Sequence, residues 1–198
     1  MISHKYKCIF VHIPRCAGTS MEINICGKDW WRTKGGPKTK HLISSTAKRI
    51  YEPYWNDYFK FSFVRNPWDR MVSMGKCPAF YGVHLSKNPP SINFNGYLKK
   101  FPKIEVDPRS QSRHDNFSPE PNSVYLNILN EELDYIGKFE NLQEDFNIIC
   151  DAIGKPRSEL AMAQRSKRKP YSFYYNDEKK KIVEELYARD IEHFGYEF

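Results

Sequence analysis

The chain has little that would place it in a membrane or at a metal. No stretch of its 198 residues approaches the about 18 consecutive apolar residues that a membrane span needs. The opening segment "MISHKYKCIFVHIPR" lacks the layout of a signal peptide, because its apolar run is short and continues into a loop that reads as structured. Cysteine is sparse and odd in number. Cys8, Cys16, Cys26, Cys77 and Cys150 are widely spaced, with no C-x-x-C pair and no histidine pattern for zinc. Free thiols in a reducing compartment follow from that usage, and with them a soluble, cytoplasmic protein. There is no internal repeat, low-complexity tract or break in composition, so residues 1–198 read as one domain. Acidic side chains are the minority charge, 24 against 31 Lys and Arg, leaving +7 and a pI near 9.1. That balance favours an anionic partner: nucleic acid, a phosphate ligand, an acidic glycan or a membrane surface. A hydrophobic fraction of 40% with 15% aromatics excludes disorder and is enough for a sizeable core.

What is present is a repeated strand–loop–helix pattern. "KCIFVHI" and "FKFSFVR" are short continuous apolar runs, as in strands buried on both faces of a parallel sheet, and "LDYIGKFE" is a third candidate. Thr19 to Cys26 reads as the helix after the first. "NPWDRMVSMG" follows the second, with Asn66 suited to the N-cap, Pro67 to the first helical position and Asp69 to the first turn. "NLQEDFNIICDAIG" follows the third, with Asn141 as cap and Gly154 as stop. Further helices are expected over Ser44 to Tyr51, Asn93 to Phe101, and as one long element from Asn176 to about Phe194. Gly27 to His41 and Pro102 to Asn122 read as irregular. The predicted class is α/β: a P-loop-like three-layer fold with a central parallel sheet flanked by helices.

Two of the strand-to-helix junctions are built for anions. In "FVHIPRCAGTS", backbone N–H groups and a helix dipole converge on the loop. Gly18 permits close backbone approach, Thr19 and Ser20 add hydroxyls, and Arg15 adds a fixed charge. It is not a Walker A loop, which requires G-x-x-x-x-G-K-[ST]. The competing reading is a plain tight turn with a surface Arg15. In "FVRNPWDRMVS", Arg65 stands at a strand end, where α/β proteins bind ligands, and Ser73 lies on the following helix. There the alternative is that Arg65 pairs with a nearby carboxylate while Asp69 and Arg70 are solvated.

Together these two segments resemble the 5′-phosphosulfate loop and the 3′-phosphate motif of sulfotransferases that use 3′-phosphoadenosine-5′-phosphosulfate. The likeness is to the carbohydrate sulfotransferase branch, including the heparan 2-O and chondroitin types. "YIGKFENLQEDF" and the tail "YYNDEKKKIVEELYARDIEHFGYEF" resemble the same branch. The family loop usually reads Pro-Lys-x-Gly-Gly-Thr-Ser; here Arg15 replaces the lysine, followed by Cys16 and Ala17.

The resemblance implies sulfuryl transfer to a hydroxyl acceptor of carbohydrate type, with no metal. It implies that Arg15, Cys16, Ala17, Gly18, Thr19 and Ser20 hold the 5′ end of the nucleotide, and that Arg65 and Ser73 hold the 3′ phosphate. Arg15 would also neutralise charge on the leaving oxygen. The basic stretch "RSKRKPYSFYY" matches a loop that closes over the nucleotide, which adds Arg165, Lys167, Arg168 and Lys169. The rival reading of that stretch is nucleic-acid binding, since cations beside aromatics suit phosphates and bases. His41 resembles the family's base, lying between the two nucleotide motifs, and histidine suits that task. His114 is the second choice, in a loop that would cover the acceptor. His12, inside the first strand, reads as a core residue. Trp31, with Trp30, is read either as an acceptor contact or as a core anchor. The partners implied are a nucleotide cosubstrate and a hydroxylated acceptor. A non-catalytic nucleotide or nucleic-acid binder on the same scaffold is the alternative, and a P-loop kinase is disfavoured by the missing lysine.

Overall fold

The apolar run at Cys8 becomes a strand that is buried along its whole length. The structure, a computed structural model, describes residues 1–30, 39–74, 122–161 and 168–198, with the backbone at 83–84 and 91–92. Its sheet contains β1 (Ile2–Ser3), β2 (Cys8–Val11), β3 (Phe59–Val64) and β6 (Tyr135–Lys138), in that spatial order. β2 and β3 pair in parallel from Cys8 opposite Phe59 to Val11 opposite Ser62. β3 and β6 pair in parallel from Phe61 opposite Tyr135 to Val64 opposite Lys138. The edge departs from the expected all-parallel sheet: β1 runs antiparallel to β2, with Ile2 opposite Ile9. Two-residue strands β4 (Val83–His84) and β5 (Ser91–Ile92) pair separately and antiparallel.

Side chains alternate across a strand, so the sheet feeds two faces. Ile9 packs with Leu42, Ala47, Tyr51 and Trp55, which come from α2 (Ser44–Ile50), α3 (Glu52–Trp55) and their approaches. Phe10, Phe61 and Phe63 join the larger core with residues of α1 (Gly18–Cys26), α4 (Pro67–Met74) and α6 (Leu142–Ala152). Phe10 and Phe61, direct neighbours in the register, stack with ring centroids 5.0 Å apart. Gly137 faces Phe63 across the pair, where a Cβ would lie 2.5 Å from the ring. A larger residue there would push the core phenylalanine aside.

The expected caps are met in part. Asn66 accepts from the Trp68 and Asp69 amides at 3.1 and 3.2 Å and so caps α4. Asn141 makes no side-chain cap bond, because a 3₁₀ turn over Phe139–Asn141 leads directly into α6. The single helix expected after Asn176 is two. α7 (Asp177–Leu186), capped by Asn176 on the Lys179 amide, ends at Tyr187, and α8 (Ala188–Phe194) follows. Tyr187 is fully buried at the break. Beyond it, the buried Asp190 carboxylate accepts from the amides of Val124, Tyr125 and Leu126 and from Ser123 Oγ, closing the start of α5 (Tyr125–Ile128). The helix expected over 93–101 lies outside the described residues. Among the described residues, no helix is long and apolar enough to cross a membrane.

Candidate functional site

The two parallel junctions lie side by side because β2 and β3 are neighbours, and a parallel pair delivers both strand ends to the same edge. After β2 the chain turns through two non-glycine residues in the left-handed region, Arg15 (φ 69°) and Ala17 (φ 61°). Each such residue costs about 1–3 kcal/mol, and surrounding contacts must hold it. α4 and the end of β3 supply them: Arg70 Nε donates to the Pro14 carbonyl at 2.9 Å, and Arg65 Nη1 donates to the Arg15 carbonyl at 3.0 Å. Arg70 is itself buried and also donates to the Tyr187 hydroxyl at 2.6 Å. With its carbonyls held, the loop enters α1 at Gly18, whose N-cap Ala17 offers no side-chain cap and whose first turn carries no acid. A helix start of that kind presents unpaired donors and positive dipole to an anion.

The cations of the two junctions interlock. Arg15 Nε donates to Ser73 Oγ at 3.1 Å. Arg65, buried against the Phe139 ring at 3.8 Å, pairs with Asp69 through Nε at 2.8 Å and Nη2 at 2.5 Å. The other oxygen of Asp69 binds Arg168. Tyr125 Oη donates to the Arg65 carbonyl at 2.6 Å, and Glu140 accepts from the Asn66 amide at 2.7 Å, so the residue pair at the end of β3 is fixed from both sides. Cys16 turns inward, fully buried, and burial pushes its thiol up to about 11. It therefore stays protonated and contributes backbone alone to the loop surface.

A second cluster lies beneath the same loop. His12 Nδ1 is 2.7 Å from Glu22 Oε1, and both side chains are buried. Glu22 Oε2 accepts from the Trp30 amide at 3.0 Å and from Lys40 Nζ at 2.8 Å, and Lys40 also pairs with Asp29. The ring of the buried His41 meets His12 edge-on, with centroids 4.5 Å apart. Among the described residues, no group of three or more His, Cys, Asp or Glu is arranged to hold a metal.

A family model described as "Sulfotransferase family" matches residues 1–197. The chain belongs to the sulfotransferase family. Its mixed α/β architecture, with a mostly parallel sheet, is that of a sulfotransferase-type fold. It is 26% identical over 163 residues to carbohydrate sulfotransferase 14 of Danio rerio, an alignment that covers 70% of this chain and 44% of that protein. The chain thus spans less than half the length of that relative. No solved structure matches.

Of the residues singled out in this sulfotransferase sequence, Arg15, Cys16, Ala17, Gly18, Thr19 and Ser20 form one continuous turn-and-helix start. Arg65 and Ser73 join it through Arg15. Arg168 joins through Asp69. Lys169 is exposed and lies over the Phe173 ring at 3.8 Å. His41 sits with His12, whose ring also lies against Gly18. Trp31, His114, Arg165 and Lys167 lie outside the described residues. Trp30 packs partly buried against the core and donates from Nε1 to Thr39 at 2.8 Å, a core anchor. The alternative reading of the second junction holds in half: Arg65 does pair with a carboxylate, Asp69, but Arg70 is buried rather than solvated. Glu22, Lys40 and Asp69 belong to the site without being marked as site residues by the sequence motifs. The signal for Glu22 is a lone acid within the apolar helix "MEINIC"; Lys40 carries none beyond its place in a basic loop.

Proposed function

We propose that residues 1–198 form one sulfotransferase domain that moves a sulfuryl group from 3′-phosphoadenosine-5′-phosphosulfate to a carbohydrate hydroxyl. The observation that carries this is the contact of Arg15 with Ser73, joined by Arg65 on the Arg15 carbonyl. These residues are 58 and 50 positions apart in the chain, and both belong to motifs expected to bind phosphate. A ligand with anionic groups at both its 5′ and 3′ ends is the natural occupant of two cationic sites so close together. The donor set fits that nucleotide: an uncapped helix start with hydroxyls at Thr19 and Ser20 on one side, and arginines with Ser73 on the other.

The donor supplies an already activated sulfuryl group. In-line displacement then needs positioning and charge stabilisation more than covalent help. Arg15 faces the growing charge on the 5′-phosphate oxygen as the S–O bond breaks. The amides at Gly18, Thr19 and Ser20 fix the 5′ phosphate. Arg65, Ser73 and Arg168 fix the 3′ phosphate, with Arg165, Lys167 and Lys169 completing the basic loop. His41 takes the proton of the acceptor hydroxyl, with His114 and Trp31 as acceptor contacts. A carbohydrate acceptor is supported by the similarity to carbohydrate sulfotransferase 14 of Danio rerio.

The test is calorimetric titration with 3′,5′-adenosine bisphosphate, using adenosine 5′-monophosphate as control. Binding that requires the 3′ phosphate is the expected result. Absence of binding to folded protein would overturn the proposal, and salt-steep oligonucleotide binding without nucleotide competition would put a nucleic-acid binder in its place.

A further inference from the structure

Glu22 is an unusual residue for its place. It is fully buried on α1 beside Ser20, Met21 and Ile25, and a buried carboxylate is costly unless several partners share it. Its two oxygens divide their work. Oε1 meets His12 at the end of β2. Oε2 takes the Trp30 amide and the Lys40 ammonium. Lys40 is the residue before His41, and Asp29 holds its ammonium from the other side. One side chain thus joins α1, the end of β2, the segment at Trp30 and the segment that carries His41.

His12 extends the link to the donor loop. A Cβ at Gly18 would lie 1.9 Å from His12 Nε2, so the imidazole occupies the clearance that glycine provides. The same ring meets His41 edge-on at 4.5 Å. Glu22 Oε2 already accepts from an ammonium and an amide, which marks the carboxylate as an acceptor throughout. The proton of the 2.7 Å contact then belongs to His12 Nδ1, with Nε2 turned toward Gly18.

We propose that Glu22 is a positioning residue that ties His41 to the donor loop, through the Nδ1–H of His12 on one side and through Lys40 on the other. The proposal rests on the reading of His41 as the acceptor's base. An ion pair of this burial adds little to stability over an apolar replacement; the fixed geometry between segments is what it contributes.

The test begins with the unmodified chain. Long-range proton–nitrogen spectra of the histidine rings, with His41 assigned from His41→Ala and His12 from its contacts to the Gly18 α protons, should show a protonated Nδ1 on His12. An unprotonated Nδ1 overturns the proposal without any variant having to fold. Glu22→Gln is the second arm. The amide NH₂ placed against Nδ1 should reverse the His12 tautomer and move the His41 ring signals, while affinity for 3′,5′-adenosine bisphosphate stays within about threefold. Unchanged His41 signals in folded Glu22→Gln overturn the tie. If His41→Ala keeps its transfer activity, the base assignment fails instead, and the ring spectra still decide whether Glu22 orients the pair.

Discussion

The imidazole of His12 fills the space beside Gly18 where any side chain would have to go. A Cβ built at Gly18 falls 1.9 Å from Nε2 and 2.0 Å from Cδ2 of that ring. The ring cannot swing away cheaply, because Glu22 holds its other nitrogen at 2.7 Å and the residue is buried. Gly18→Ala is therefore expected to destabilise the fold by about 1–3 kcal/mol, as overpacking does, despite alanine's better helix propensity. Denaturant unfolding of the purified variant measures it. A variant as stable as the parent would mean that the ring has an alternative position.

Asp69 stands between two cations, with one oxygen on Arg65 and the other on Arg168. Arg65 is thus preset at the strand end before any ligand arrives. Arg65→Ala should weaken binding of 3′,5′-adenosine bisphosphate by about tenfold to a hundredfold, the worth of a charge-assisted contact. Binding of adenosine 5′-phosphosulfate, which has no 3′ phosphate, should fall far less. Parallel calorimetric titrations compare the two, and equal losses would remove Arg65 from 3′-phosphate recognition.

Both junctions are legible in the sequence because their cues are local: continuous apolar runs before them, and Asn66, Pro67 and the Gly18-Thr19-Ser20 run at them. The break at Tyr187 is not legible. The apolar spacing from Val183 through Tyr187 to Ile191 continues across it, and the amides of Tyr187 and Ile191 still reach back four residues at 3.0 and 2.8 Å. What ends the first helix is burial of Tyr187 against Arg70 and Tyr125, a tertiary demand. The antiparallel edge strand is hidden for another reason, since two residues carry no periodicity. Glu22 and Lys40 become partners only when the chain brings positions 18 apart together, and Lys40 alone reads as one more cation of a basic loop.

Burial gives Cys16 a pH signature. Its thiol is pushed up to about 11, mainly by desolvation, so the folded chain keeps a proton that the unfolded chain releases near about pH 8.5. The folded state then binds more protons, and stability falls as pH rises. The contribution is complete below about pH 8.5 and lost between there and about 11. Cys8, raised to about 12 by its own burial, works in the same direction. Urea midpoints recorded from pH 8 to 10.5 should decline, and Cys16→Ala should decline less steeply, by roughly 2–3 kcal/mol over that range. Identical slopes would show that the thiol titrates normally in the fold.

The proposed roles of Arg15 and His41 concern different bonds, so their variants should separate in effect. Arg15 is half-buried and held to Ser73, with its carbonyl on Arg65. Arg15→Ala leaves the carbonyl contact and the turn intact but removes the charge proposed to face the leaving oxygen. A loss of about 10²–10³-fold in transfer rate is expected, with the folded state retained. His41 is buried against His12. His41→Ala should abolish transfer and spare bisphosphate binding, at a stability cost of about 1–3 kcal/mol from the emptied site. Rates of bisphosphate release in the presence of a carbohydrate acceptor, set beside calorimetric affinities for each variant, draw the distinction. An unchanged rate in Arg15→Ala would take that residue out of the chemistry. Sustained turnover in His41→Ala would transfer the proton-accepting role to His114.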